Sequence, residues 1–166
     1  IASTGNATDF GNLQETKRDI GAAGSTTRGL FFGGDINGST YSNNIDRIEI
    51  ASTGNANNFG DLSATRNSIT AVSSNTRAVA CTGADGSGNA VNICEYVTIA
   101  SLGNTTDFGD ATAAKQLAAG DGCGTLGIIS GGYTSSNINV IESITIASTG
   151  NGSDFGDLLA AKKEHG

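Results

Sequence analysis

Apolar residues in this chain come in short runs that alternate with polar ones and then stop at clusters of Gly, Ser, Thr, Asn and Asp. The stretch from 68 to 111 shows the pattern well. SITAVSS (68–74), RAVACTG (77–83), NICEYVTIAS (92–101) and TDFGDA (106–111) are separated by SSNT, by the Gly-rich GADGSGN and by LGNT. Alternation of period two bounded by turn residues predicts β-strands joined by tight connections. No segment carries a helical stripe. The tail AAKKEHG tolerates a helix, but it aligns with TKRDIG and ATRNSI, both of which precede strands.

The strand pattern is periodic on a larger scale. IASTGNATDFGNL at Ile1–Leu13 returns as IASTGNANNFGDL at Ile50–Leu62, IASLGNTTDFGDA at Ile99–Ala111 and IASTGNGSDFGDL at Ile146–Leu158. The spacings are 49, 49 and 47 residues. TTRGLFFGG, NTRAVACTG and GTLGIISGG keep the same register, as do NNIDRIEI, NICEYVTI and NVIESITI. The two residues missing from the last period fall between Gly132 and Ile146, inside a loop. Four strands in each period predict one antiparallel sheet per repeat, and sheets of that size repeated radially are the blades of a β-propeller.

Further residues carry a resemblance to a known family. Gly33–Gly34 and Gly131–Gly132 each end a strand, and Asp46, Glu95 and Glu142 stand near the start of the strand that follows the loop. Phe10, Phe59, Phe108 and Phe155 come after the Thr-Gly-Asn turn, and Lys17, Arg66, Lys115 and Lys162 come after them in turn. This arrangement is similar to the kelch repeat. Two features depart from it: Phe replaces the usual Trp, and the second Gly-Gly reads Thr82–Gly83. The tandem motif also resembles repeats of structural and fibre-type proteins of marine bacteriophages. The resemblance implies an all-β, kelch-like propeller segment. Its expected parts are the outer half of a preceding blade (1–18), blades at 19–62, 68–111 and 116–158, and a connection toward a next blade (159–166). Three blades and a fraction would leave open edges. The expectation is therefore a piece of a longer propeller, with a ring completed by several copies as the alternative.

Composition narrows the function. The chain has 166 residues, Gly 25, Pro 0, Met 0, Trp 0, and a formal net charge of −7. An acidic surface without a Lys/Arg cluster repels a phosphate backbone, so nucleic acid is not an expected partner. Anionic membranes are disfavoured in the same way, and no apolar run approaches the ~20 residues a spanning helix needs. Cys81, Cys94 and Cys123 are an odd number. Cys81 and Cys94 flank one loop and could pair, but three buried thiols are the preferred expectation.

Candidate chemistry is sparse. Asp9, Asp107 and Asp154 recur with the Phe, and recurrence in every unit points to a shared packing problem rather than to catalysis. On that view Phe is a wedge between blades. Asp46, Glu95 and Glu142, with the recurrent bases, are expected to pair as charges between neighbouring strands or blades. Arg28 and Arg77 recur at a strand start, where they could line a channel or cap a turn; Leu126 breaks the series. The loop Asp35–Asp46 has oxygen side chains spaced partly like a calcium loop, but its Gly stands at the fourth position rather than the sixth, and a turn-rich loop is preferred. His165 is the sole histidine. DGSGN at 85–89 lies on a hairpin-like loop and lacks the strand-to-helix turn of a nucleophile elbow.

The copies disagree most in the loops after the Gly-Gly strands: DINGSTYSN, ADGSGNAV and YTSSNIN. Loops on a rigid scaffold commonly carry binding. Asp35, Asn37, Tyr41, Asp85, Tyr133 and Asn137 are accordingly the candidate ligand-binding residues. The expected function is a non-enzymatic binding or structural module without cofactor or metal. It would sit on an extracellular or virion surface as an attachment or fibre component. Protein, surface glycan, or other copies and further blades of the same polypeptide are the expected partners. Two alternatives are the propeller portion of a larger enzyme and an intracellular adaptor.

Overall fold

The turn-rich alternation folds as strands throughout. The computed structural model describes residues 5–164, and they contain no helix. His165 and the motif residues Ile1–Thr4 lie outside the described residues. The first sheet is a meander of β1 (Gly21–Gly24), β2 (Arg28–Phe32), β3 (Asn44–Glu49) and β4 (Asn57–Asp61). Next comes β5 (Arg66–Asn67), a short strand that pairs with β8 (Ala84–Asp85). The second sheet joins β6 (Thr70–Ser73), β7 (Arg77–Cys81), β9 (Val91–Thr98) and β10 (Thr106–Lys115). The third joins β11 (Ala119–Gly122), β12 (Leu126–Ser130), β13 (Ile138–Thr145) and β14 (Ser153–Lys162). All pairings within these sheets are antiparallel, and none of the sheets closes on itself. The fold is all-β.

The three sheets bury two cores, one on each face of the middle sheet. Leu30, Phe32, Ile45 and Phe59 of the first sheet meet Ala78, Ala80 and Val97 of the second, with Ile99 just beyond β9. The opposite face of the middle sheet supplies Val72, Val79, Cys81 and Cys94, which with Phe108 meet Ile129, Ile144 and Ile146 of the third unit. This explains why Ala78–Cys81 is an unbroken buried run: a strand covered on both faces has no solvent side to mark with polar residues.

The last strand of each sheet in chain order (β4, β10 and β14) carries a β-bulge at its Phe. Ile45 pairs with Gly60 and Asp46 with Asn58, which leaves Phe59 as the extra residue. Phe108 is skipped against Glu95 and Cys94, and Phe155 against Glu142 and Ile141. A bulge re-aims a side chain; here it turns Phe59 and Phe108 onto the following sheet.

The first strands of the three sheets adjoin, β1 against β6 and β6 against β11. Asp19, Ser68 and Leu117, just before these strands, and Glu164, just after β14, all adopt the left-handed conformation, with φ of 55, 51, 58 and 53°. Their backbones form a staircase. Ser68 N–H donates to Asp19 O at 2.7 Å, Leu117 N–H to Ser68 O at 3.4 Å, and Glu164 N–H to Leu117 O at 2.9 Å.

Two expectations need correction. The expectation of three buried thiols fails: Cys81 and Cys94 face each other across β7 and β9 as a disulfide, and Cys123 is an exposed free thiol. The antiparallel register, invisible in the spacing of 13, places the first two opposite one another. The outer strands are also longer than their apolar pattern suggests. β10 and β14 run on to Lys115 and Lys162, whose partners are Val91 and Ile138 at the starts of long strands. Residues 159–162 are therefore strand rather than connection.

Candidate functional site

Asp35 opens the first variable loop directly after Gly33–Gly34, and it is not a free ligand group. Its carboxylate is buried and accepts hydrogen bonds from the amides of Asn37 (3.1 Å) and Gly38 (2.6 Å) and from Arg18 Nε (3.2 Å) and Nη2 (3.0 Å). Burial raises its pKa, but those donors outweigh burial and hold the group below the ordinary aspartate range. The Arg18 guanidinium is raised in turn, first through its hydrogen bond to Asp35. The backbone of Asp35 is bridged to Arg18 on one side and Tyr41 on the other. Thr16, Lys17, Arg18, Asp35, Ile36, Asn37 and Gly38 line a cleft of about 320 Å³ beside this loop.

Asp85 organises the second loop in the same way. Its carboxylate accepts the amides of Asn89 and Ser87, both at 2.9 Å, and the Asn89 side chain at 3.3 Å. The amide of Asn89, then that of Ser87, keeps its pKa below the ordinary value. Tyr133 opens the third loop and is bridged to Gln116 and Asn137, with Lys163 Nζ 4.8 Å from the centre of its ring. Asn37 and Asn137 are exposed, and Tyr41 is half-buried. The structure thus groups the six residues by loop: Asp35 with Asn37 and Tyr41, Asp85 alone, and Tyr133 with Asn137. The calcium-like spacing does not converge, because Asp35 answers Arg18 while Asp46 is paired with Lys17 at 2.8 Å.

The recurrent residues that bracket these loops do different work, joining one unit to the next. Lys17 of the segment before the first sheet pairs with Asp46, Arg66 pairs with Glu95, and Lys115 Nζ stands 2.6 Å from Glu142 Oε1. Each base ends one unit and each acid belongs to the next. All six side chains are at most 2% exposed. Burial pulls the Arg66 guanidinium below its ordinary value while Glu95 opposes. The two glutamates are further satisfied. Ser63 N–H and Thr105 Oγ1 donate to Glu95, and Thr112 N–H (2.7 Å) and Oγ1 (2.5 Å) donate to Glu142.

A second element of the joint lies in the turn before the Phe strand. Gly54 N–H donates to Phe10 O (2.8 Å), Ala56 N–H to Asn12 O (2.8 Å), and Asn12 N–H to Asn55 Oδ1 (3.0 Å). The set recurs with Gly103, Thr105 and Asn104 on Phe59 and Asp61, and with Gly150, Gly152 and Asn151 on Phe108 and Asp110. The approach is so close that a Cβ on Gly11, Gly60 or Gly109 would sit 2.2, 2.1 or 2.6 Å from the facing carbonyl oxygen. A third element is Arg28, whose Nη1 reaches the carbonyls of Ile99 and Ala100 at 2.9 Å, and Arg77, whose Nη1 reaches Ile146 O at 2.9 Å. Neither arginine is limited to capping its own turn: both bind the next unit.

Arg18 as the partner of Asp35, and the Gly-Asn clamp, were missed from sequence. The signal for the clamp was present in the Gly that follows every Phe and the Asn of every turn, at matching phase. No protein-family model matches the chain, and comparison with curated proteins finds no match.

Proposed function

We propose that the chain is a non-catalytic binding and structural module of kelch-like propeller design. In this reading three blades, preceded by the outer half of another, present the variable loops as a contact surface for a protein or a surface glycan. The observation that supports it is a division of labour. Residues that recur in every unit are spent on joints, whereas Asn37, Tyr41, Tyr133 and Asn137 have no counterpart of the same type at the equivalent positions of the other loops. Face-to-face sheets with adjoining first strands suit a radial array. An extracellular or virion surface suits the disulfide between Cys81 and Cys94, because such bonds persist in oxidising surroundings.

The test is a glycan array and a particle- or cell-surface binding assay on the chain and on a variant with Asn37, Tyr41, Tyr133 and Asn137 all changed to Ala. Binding should fall at least tenfold in the variant, while the exposed Asn37 and Asn137 contribute no more than about 0.5 kcal/mol each to any change in unfolding stability and the half-buried Tyr41 and Tyr133 contribute the rest. Full binding by the variant would refute the loop-face reading.

A further inference from the structure

The second variable loop is fastened at its base as neither of the other two is. In each sheet the last pair before the loop stands in the same register: Phe32 with Ile45, Cys81 with Cys94, and Ser130 with Ile141. The middle pair is covalent. Its bond closes residues 82–93 into a loop that contains the whole of ADGSGNAV (84–91). The next position extends the comparison. Gly33, Thr82 and Gly131 share a left-handed turn, with φ of 59, 58 and 59°. Glycine adopts that conformation freely, whereas a β-branched residue holds it only where its surroundings enforce it. Thr82 is fully buried, its N–H donates to Ile93 O at 2.9 Å, and its hydroxyl donates to Thr70 Oγ1 at 3.3 Å.

The cation at this joint adds a further tie. Where the other two joints carry Lys17 and Lys115, the middle one carries arginine, whose planar fork reaches several acceptors at once. Arg66 Nη1 donates to Thr82 O and Ile93 O, both at 3.0 Å, while Nη2 binds Glu95. Thr82 follows Cys81 and Ile93 precedes Cys94, so the guanidinium spans the two strands one residue beyond the disulfide. Disulfide, strained turn and guanidinium converge on one loop base. The sulfurs themselves are sealed. Cys81 and Cys94 are both 0% exposed, and they share their buried cluster with Phe108 and with Ile129, Ile144 and Ile146 of the third unit. A reductant reaches the bond only when the joint between the second and third sheets parts.

We propose that the Cys81–Cys94 bond is a redox clasp that holds the second variable loop in its binding form. Closed, it keeps Ser87 and Asn89 on the Asp85 carboxylate before a partner arrives, so less conformational freedom is lost on binding. A dithiol opens it by thiol–disulfide exchange. One thiolate of the reductant attacks a sulfur of the pair, the S–S bond breaks, and a mixed disulfide forms. The second thiolate displaces that mixed disulfide. Two electrons and two protons pass to Cys81 and Cys94, and the reductant leaves as its own disulfide. With the cross-link gone, Thr82 relaxes out of its left-handed turn and the loop opens locally. As regulation of the loop face the clasp rests on the function proposed above; its effect on the loop itself does not.

Amide hydrogen exchange on the full chain, oxidised and after reduction with dithiothreitol, tests the clasp without any partner. The amides of Thr82, Asp85 and Val91, bonded to Ile93 O, Asn89 O and Gly83 O, should exchange at least tenfold faster once the bond is cut. Ser42 and Ile138, which stand where Val91 does in the other loops, should change less than threefold. Cys81→Ser with Cys94→Ile, the pair that the third sheet carries, should reproduce the reduced pattern and keeps the test open if reduction unfolds the chain. Thiol titration under dithiothreitol tests access. Lys115→Ala, at the joint over the bond, should speed reduction at least tenfold, and Lys17→Ala, at the joint before the first sheet, less than threefold. On the glycan array and in the surface assay, the reduced chain should bind at least fivefold more weakly. Binding by neither form would overturn the loop-face reading, and the exchange contrast would still decide the clasp. Equal binding by both forms overturns the clasp as a regulator. It is overturned outright if the loop amides are indifferent to reduction, if every amide of the second sheet speeds up equally, or if Lys115→Ala and Lys17→Ala speed reduction alike.

Discussion

The joint between the second and third sheets and the bare end of β14 hold the same residue types in opposite circumstances. At the joint, Phe108 is packed, Gly109 lies under the Gly150 carbonyl, and Lys115 is buried against Glu142. At the end, Phe155, Gly156 and Lys162 face solvent or open space. The difference shows that the motif is one half of a contact, with the other half carried by the next unit. The same letters are buried where a neighbour sits on them and exposed where none does.

Charge removal breaks the comparison most sharply. Lys115→Ala leaves Glu142 as a buried carboxylate without its cation, which costs roughly 3–5 kcal/mol. Lys162→Ala removes an exposed, unpaired amine and should cost under about 0.5 kcal/mol. Urea unfolding of the two variants measures the contrast directly. Backbone crowding comes second. Gly109→Val drives a side chain into the Gly150 carbonyl and should destabilise by about 1–3 kcal/mol more than Gly156→Val, since the two share a positive φ and differ only in the neighbour. Smaller again is the clamp: Asn151→Ala deletes the acceptor for Asp110 N–H and should cost about 1 kcal/mol. Asn6→Ala, at the exposed equivalent position, should leave the melting temperature unchanged.

The smallest effect concerns pH and the loop face. The folded pKa of Asp35 lies below its unfolded value of about 3.9, so its contribution to stability is complete above that value. It fades as the pH falls through the lower folded value. Melting curves between neutral pH and strong acid should therefore show an acid limb that Asp35→Asn makes shallower. Tyr133→Phe should leave that limb unaltered, because the third loop opens without a carboxylate.

The strand pattern, the repeat period and the pairing of recurrent acids with recurrent bases were legible in the sequence, since each is written several times in register. The packing role of Phe was legible for the same reason, although the bulge that aims it was not: a one-residue slip against Glu95 or Glu142 leaves no mark in composition. The Cys81–Cys94 bond depended on register between β7 and β9, which apolar alternation does not specify to the residue. The loop candidates were chosen for chemistry and variability, and sequence could not show that Asp35 and Asp85 are consumed in holding their own loops. Nor could it place Arg18, seventeen positions away, on the Asp35 carboxylate.

Amide hydrogen exchange resolved by residue tests the joint most directly. Strong protection is expected at Asp61 and Asp110, whose N–H groups are held by Asn104 and Asn151 of the following unit, and rapid exchange at the equivalent Asp157. Equal protection at all three, or rapid exchange at Asp61 and Asp110, would contradict it.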